Sequence, residues 1–220
     1  MALMTANSGP VLAGPGGRKA LLGTNPIAFS FPRNEACPLV VDLSTSLVAR
    51  GRLAAAAARG ETIPGDWALG PDGRPTTDAA AAMQGTLLAI GGNKGAALAF
   101  ALELLASALP GALFSHQNTS YFQLDGPPFS GGQLIIAVDP RCLGGDQFPA
   151  RLQALCSTFL AEEGVRLPGD RRLKSRARLA MTGIPVPAEL MRELRRRGGL
   201  ADETSVRAEP GSRAVSAAMA

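Results

Sequence analysis

The sequence predicts an α/β protein built on a mixed sheet with flanking helices. Three observations carry this: short β-branched strand patterns separated by turn residues, capped helix patterns rich in Ala and Leu between them, and a glycine-rich turn at the mouth of one helix. Ile27-Ala-Phe-Ser-Phe31 and Pro38-Leu-Val-Val-Asp42 flank the turn-forming Pro32-Arg-Asn-Glu, which predicts a hairpin-like pair of strands ending at Asp42. Gln133-Leu-Ile-Ile-Ala-Val-Asp139, bounded by Gly-Gly and Pro, predicts a third strand in the centre of the sheet.

The helices follow from their formers and their stops. Ser44-Thr-Ser46 offers cap residues for an Ala- and Leu-rich helix over 47–59, closed by Gly60. Residues 60–78 hold too many Pro and Gly for a regular element and predict a long packed loop, fastened by Trp67. Asp78 caps a short helix over 78–89, and Gly91-Gly-Asn-Lys-Gly95 opens one over 96–109 that stops at Pro110-Gly111. Further helices are predicted at 146–163, 171–182 and 187–198, the last two parted by Pro185 and Pro187. Residues up to Gly23 read as loop, and those from Leu200 onward, small, polar and aperiodic, as a frayed tail. The resulting domain expectation is a partial nucleotide-binding α/β domain over 1–139, a helical region over 140–199 packing on it, and a disordered tail over 200–220.

Composition narrows the function. With 46% hydrophobic and 18% charged residues, the 220-residue chain can bury a sizeable core. Its 22 Lys and Arg against 18 Asp and Glu give a net charge of +4, and nearly half of the Arg fall between Arg166 and Arg197. That stretch has no interleaved stacking aromatics, so it reads as solvated helix faces, and no nucleic-acid partner is expected. No run of about 18 apolar residues suggests a membrane span. Cys37, Cys142 and Cys156 are odd in number and widely spaced, which predicts a reducing, cytoplasmic setting and no metal site.

Two segments could carry chemistry. Glycines in Gly91-Gly-Asn-Lys-Gly95 would let an anion approach the backbone at a helix N-terminus, with Lys94 adding charge. A glycine turn with a solvated lysine gives the same pattern, and neither GxGxxG nor GxxxxGK[ST] is present. Asp42-Leu-Ser-Thr-Ser46 could hold ribose hydroxyls and anionic oxygens, or simply cap a helix. Arg50, beside Gly51, could clamp a carboxylate bidentately, or be a surface charge. His116 is the one histidine and has no evident partner, and Glu103, inside an apolar helix, is expected in an ion pair with Lys94 or another basic residue.

Taken together, Gly14-Pro-Gly-Gly-Arg18, Leu22-Gly-Thr-Asn-Pro-Ile-Ala28, Val41-Asp-Leu-Ser-Thr-Ser46, Ala49-Arg-Gly51, Trp67-Ala-Leu69, Gly73-Arg-Pro-Thr-Thr-Asp78, Gly91-Gly-Asn-Lys-Gly95, Glu103-Leu-Leu105 and Leu167-Pro-Gly-Asp-Arg-Arg172 resemble the malate/L-lactate dehydrogenase family in order and spacing, over residues 3 to about 195. That family does not have the Rossmann fold. Within it, residues 91–97 and 115–122 look most like Δ1-piperideine-2-carboxylate/Δ1-pyrroline-2-carboxylate reductases, which reduce a cyclic imino acid to L-pipecolate or L-proline. The runner-up is a 2-hydroxy-acid dehydrogenase acting on malate, lactate or sulfolactate, and a third reading is a non-catalytic remnant that binds only nucleotide or a partner. The resemblance implies NADPH as cofactor, with NAD possible, and a homodimer acting on a small molecule. It puts the cofactor against Thr5, Asn7, Asp42, Leu43, Ser44 and Gly91, Gly92, Asn93, Lys94, Gly95, Ala96 and Ala97, and the substrate against Thr24, Arg50 and Gly51. The family's catalytic His lies in a segment preceding this sequence, so the catalytic residue here is unknown, and the chain is expected to be N-terminally truncated and inactive alone. Arg52 stands where the imine reductases are expected to have Asp.

Overall fold

The computed structural model describes residues 1–34, 37–121 and 125–199. Eight strands and seven α-helices alternate along them, the α/β class that the sequence predicts. By contact density the chain separates into Met1–Arg171 and the part from Arg172 onward.

The strands form two sheets. The first has the order β5-β4-β1-β8, with β1 Ala2–Ala6, β4 Ile27–Phe31, β5 Leu39–Leu43 and β8 Gln133–Ala137. All its pairs are antiparallel, in the registers Leu3↔Phe29, Leu3↔Ile136 and Phe29↔Val41. The expected β4–β5 hairpin is present. The expectation for the third strand fails: β8 lies at an edge, with Ile135 62% exposed, and β1 takes the inner place. Residues 1–23 are not a loop either. Ala2-Leu-Met-Thr-Ala6 has little intrinsic strand preference and becomes a strand because it is paired on both sides, a tertiary effect that overrides local propensity.

The second sheet, β3-β2-β7-β6, consists of β2 Leu12–Ala13, β3 Ala20–Leu22, β6 Ala68–Leu69 and β7 Thr86–Leu87. Here the pairing is mixed, with β2 parallel to β7 and the remaining pairs antiparallel. The core packs on this sheet: Leu12, Leu22, Ala68 and Leu87 are buried together with Leu53, Ala79, Ala82 and Ala99 from three helices. Those helices are α1 Arg50–Ala58, α2 Ala79–Gln84 and α3 Asn93–Glu103. Small Ala side chains let them approach closely.

Helix boundaries moved for identifiable reasons. Helix α1 starts at Arg50, with Ala49 as a cap residue that makes no side-chain cap bond, so Ser44-Thr-Ser46 does not cap it. Asp78 does cap α2, accepting from the amides of Ala80 and Ala81. That helix stops at Gln84 because Thr86 and Leu87 are drawn into the second sheet. Helix α3 starts earlier than predicted and passes into a π-helical turn at Leu104–Ala108. The 60–78 segment, predicted to hold no regular element, carries the short strand β6, paired with β7, and is tied down by bridges from Thr62 to Asp78 and from Leu69 to Pro75. Trp67 packs against the core, and the Arg52 guanidinium lies 4.8 Å from its ring centroid. Beyond β8 come a short α4 Arg141–Gly144 that was not predicted, then α5 Phe148–Leu160, α6 Asp170–Thr182 and α7 Ala188–Arg197, close to the predicted spans. The predicted tail lies outside the described residues.

Candidate nucleotide and carboxylate site

The site is assembled by three segments of the first unit that hydrogen bonds stitch together. Ser44, Thr45 and Ser46 follow β5 and cross between the other two. The Thr45 amide and hydroxyl both donate to the Thr24 carbonyl at 2.8 Å, and the Thr45 carbonyl accepts from the Ile90 amide at 2.9 Å. The Leu47 amide donates to the Leu88 carbonyl at 2.8 Å. Thus the Thr24 segment, the Asp42-to-Arg50 segment and the glycine turn at 91–92, distant in sequence, become neighbours.

A cavity of about 180 Å³ opens where the first two segments meet, lined by Ser8, Thr24, Ser44, Ser46, Arg50 and Tyr121 among others. Hydroxyls dominate its polar lining. The Thr24 amide donates to Ser8 Oγ at 3.0 Å, the Ser8 and Thr24 hydroxyls lie 3.3 Å apart, and those of Ser44 and Ser46 lie 3.0 Å apart. Arg50 is half-buried; its guanidinium donates to the Met83 carbonyl at 2.9 Å and to that of Pro10 at 3.4 Å. Burial draws its pKa below the ordinary arginine value. A desolvated cation beside hydroxyls suits a carboxylate of small size. Tyr121 rests on Phe129, with centroids 4.6 Å apart, and burial raises its phenol pKa, so it stays a hydrogen-bond donor at neutral pH.

A second cavity of about 470 Å³ is lined by Gly14, Gly16, Leu47, Gly91, Gly92, Asn93 and Ala96 among others. Gly91 and Gly92 have φ of 61° and 63°, a conformation that glycine adopts without strain. Gly92 is the cap residue of the eleven-residue α3, so the first-turn amides of that helix have no intrahelical acceptor. Those amides and the helix dipole favour an anion. Asn93 Oδ1 accepts from the Gly16 amide at 3.3 Å, joining the turn to the loop between β2 and β3.

The predicted site residues therefore divide. Thr24, Ser44 and Arg50 line the smaller cavity, and Gly91, Gly92, Asn93 and Ala96 the larger. Neither is lined by Thr5, Asn7, Asp42, Leu43, Gly51, Lys94, Gly95 or Ala97. Asp42, Leu43 and Lys94 are exposed. Asn7 is buried and engaged on both ends of its amide, donating to the Leu113 carbonyl and accepting from the Gly132 amide, each at 2.8 Å. His116 belongs elsewhere. It is exposed, stacks on Phe114 at 5.8 Å, and lines a third, apolar cavity of about 790 Å³.

Glu103 corrects an expectation outright. Among the described residues it has no ion pair with Lys94 or another cation; its carboxylate accepts from Asn25 Nδ2 at 2.7 Å, from the Ser115 amide and hydroxyl at 2.6 Å each, and from Ser107 Oγ at 3.3 Å. Donors that turn and cap supply what a cation would have supplied. Ser46 lines the cavity as part of the Asp42-Leu-Ser-Thr-Ser46 segment singled out in the sequence, whereas Ser8 and Tyr121 were not named as site residues. Among the described residues no three His, Cys, Asp or Glu side chains gather as a metal site, and no helix is long and apolar enough to cross a membrane.

Comparison with known proteins bears on these residues together. A Δ1-pyrroline-2-carboxylate reductase of Ancylobacter novellus is 45% identical over 190 residues, 85% of this chain and 56% of the relative. A (2R)-3-sulfolactate dehydrogenase (NADP+) of Chromohalobacter salexigens is 43% identical over 195 residues, 89% of this chain and 58% of the relative. The crystal structure of Δ1-piperideine-2-carboxylate reductase from Pseudomonas syringae pathovar tomato superimposes with a TM-score of 0.80 at 37% identity, covering 89% of this chain and 59% of that one. The chain thus spans less than two thirds of the length of each. The family model described as malate/L-lactate dehydrogenase matches residues 1–195, and the chain belongs to that family.

Proposed function

We propose that this chain is the nucleotide-binding part of an NADPH-dependent oxidoreductase that reduces a cyclic imino acid, Δ1-pyrroline-2-carboxylate or Δ1-piperideine-2-carboxylate, to L-proline or L-pipecolate. The observation that carries the proposal is the stitching of a carboxylate-sized cavity to a glycine turn at a helix N-terminus by the Thr45 hydrogen bonds. The names of the Ancylobacter and Pseudomonas relatives support the imine as substrate. The nucleotide-binding residues fall within 1–139, and the working protein is a cytoplasmic homodimer.

The residues present fit a nicotinamide nucleotide. Gly91 and Gly92 leave room for a phosphate to approach the backbone, the first-turn amides of α3 donate to it, and Lys94, in that first turn, adds positive charge, with Asp42 assigned to the ribose hydroxyls. Bound NADPH supplies the hydride that adds to the carbon of the C=N bond. Arg50 holds the neighbouring carboxylate, and Thr24 with Ser44 and Ser46 orients the ring. The electron pair of the C=N π bond moves to nitrogen, which takes a proton from an acid.

The Chromohalobacter relative supports a second reading, a 2-hydroxy-acid dehydrogenase with the same carboxylate clamp. The test is NADPH oxidation by the protein against both cyclic imines and against pyruvate, oxaloacetate and sulfopyruvate. Turnover of the imines supports the proposal; turnover of the 2-oxo acids alone moves the assignment to the second reading; nucleotide binding without turnover of any makes the chain a binding module.

A further inference from the structure

The buried carboxylate of Glu103 is used by no step above, yet it is the most heavily hydrogen-bonded side chain in the neighbourhood of the site. It is 3% exposed, and it meets Asn25, which is 0% exposed and has a φ of 32°, left-handed backbone in a residue other than glycine. Asn25 Nδ2 donates twice, to Glu103 Oε2 at 2.7 Å and to the Ala99 carbonyl at 2.9 Å, so two groups of α3 grip one amide. Asn25 directly follows Thr24, whose carbonyl takes both Thr45 donors, and Thr45 in turn accepts from Ile90, next to Gly91.

We propose that Glu103 is a positioning residue: by holding Asn25 in its left-handed conformation it sets the Thr24 carbonyl, and through Thr45 it fixes the carboxylate cavity and the glycine turn at one separation. The proposal rests on the function proposed above for what those two places bind, but not for the coupling itself. A chain of five residues, Glu103, Asn25, Thr24, Thr45 and Ile90, links α3 back to the turn that begins it. The left-handed backbone is an unfavourable state for asparagine that persists because its surroundings impose it.

The isosteric Glu103→Gln tests the anchor, because the amide cannot satisfy every donor around it. If its oxygen faces the Ser115 amide, its NH2 opposes Asn25 Nδ2; turning Asn25 to relieve this puts Oδ1 against the Ala99 carbonyl. Asn25→Gly removes the anchor by another route and keeps the left-handed backbone accessible, so it folds. Ser115→Ala deletes one Glu103 bond but leaves the Asn25 contact, and serves as the stability control.

Hydrogen exchange is followed at the Thr45 and Ile90 amides, with the Leu87 amide, bonded to the Val11 carbonyl, as reference. In Glu103→Gln and Asn25→Gly, protection at Thr45 and Ile90 falls at least tenfold relative to Leu87, and NADPH binding by fluorescence titration weakens at least tenfold. Ser115→Ala lowers Tm but keeps relative protection and NADPH affinity within twofold. Should Glu103→Gln fail to fold, Asn25→Gly decides. Wild-type exchange at Thr45 and Ile90 in Asn25→Gly overturns the proposal, as does an affinity loss in Ser115→Ala equal to that of the other two. If the unaltered protein binds no NADPH, the cofactor reading fails, and the exchange measurement alone decides the coupling.

Discussion

Gly95 is the position at which a single methyl group should do most damage. It sits in the first turn of α3, where a Cβ would overlap the Ile90 carbonyl oxygen and come within 2.8 Å of the carbonyl carbon. Non-bonded heavy atoms pack at about 3.5–4 Å, so with the carbonyl oxygen overlapped the turn and the helix must part by well over about 1 Å. Ile90 cannot yield cheaply, since its amide is bonded to the Thr45 carbonyl at 2.9 Å, and Gly92 is held by the Ala89 carbonyl at 3.2 Å. Overpacking of this kind costs about 1–3 kcal/mol, and loss of one such hydrogen bond about 1 kcal/mol more, against a gain below about 1 kcal/mol from alanine's helix preference. The net expectation for Gly95→Ala is a loss of about 1–3 kcal/mol in urea unfolding, together with weakened NADPH binding because the turn moves. A loss under about 0.5 kcal/mol with unchanged nucleotide affinity would refute the close-approach argument.

Three further outcomes are expected. Lys94→Ala should raise the NADPH Kd by about 1–2 kcal/mol, the scale of a charge-assisted hydrogen bond, and an unchanged value in low-salt calorimetry removes Lys94 from the phosphate site. Arg50→Lys keeps the charge but loses the fork, so KM for the carboxylate substrate should rise about tenfold with kcat much less affected; equal kinetics would make Arg50 structural. Asp139 is held down to about 2, first by its side-chain bond to Arg141, so its stabilising contribution is present above the ordinary aspartate pKa and is lost as pH falls through about 2. NMR titration should show that midpoint rising toward the ordinary range in Arg141→Ala, and no movement would discard the pairing.

The parts of the molecule legible in sequence were those with local causes. The β4–β5 hairpin announced itself through β-branched runs about a turn, Asp78 through its cap position, and the Gly91-Gly-Asn-Lys-Gly95 turn through residues that only a special backbone needs. What escaped depended on partners far along the chain. The strand β1 exists because β4 and β8 flank it, and Leu12 is a strand residue because Leu87 pairs with it. In the site, Arg50, Thr24 and Ser46 could be named from their motifs, but the lining from Ser8 required a contact with Thr24, 16 residues along the chain. Glu103 was misjudged for a similar reason: burial of a carboxylate demands compensation, and the sequence does not reveal that neutral donors from Asn25 and Ser115 supply it.

The place of β1 in the first sheet bears on how the chain is made. It can join β4 and β5 soon after synthesis, but its other side waits for β8, more than a hundred residues later. At about 5–20 residues per second a ribosome needs on the order of 10 s to produce that partner. During this interval the nascent three-stranded sheet presents an open row of backbone donors and acceptors, a template that a neighbouring copy on the same message could pair with. Slower initiation, which spaces the ribosomes apart, should therefore raise the yield of soluble protein more than slower elongation, which lengthens the wait.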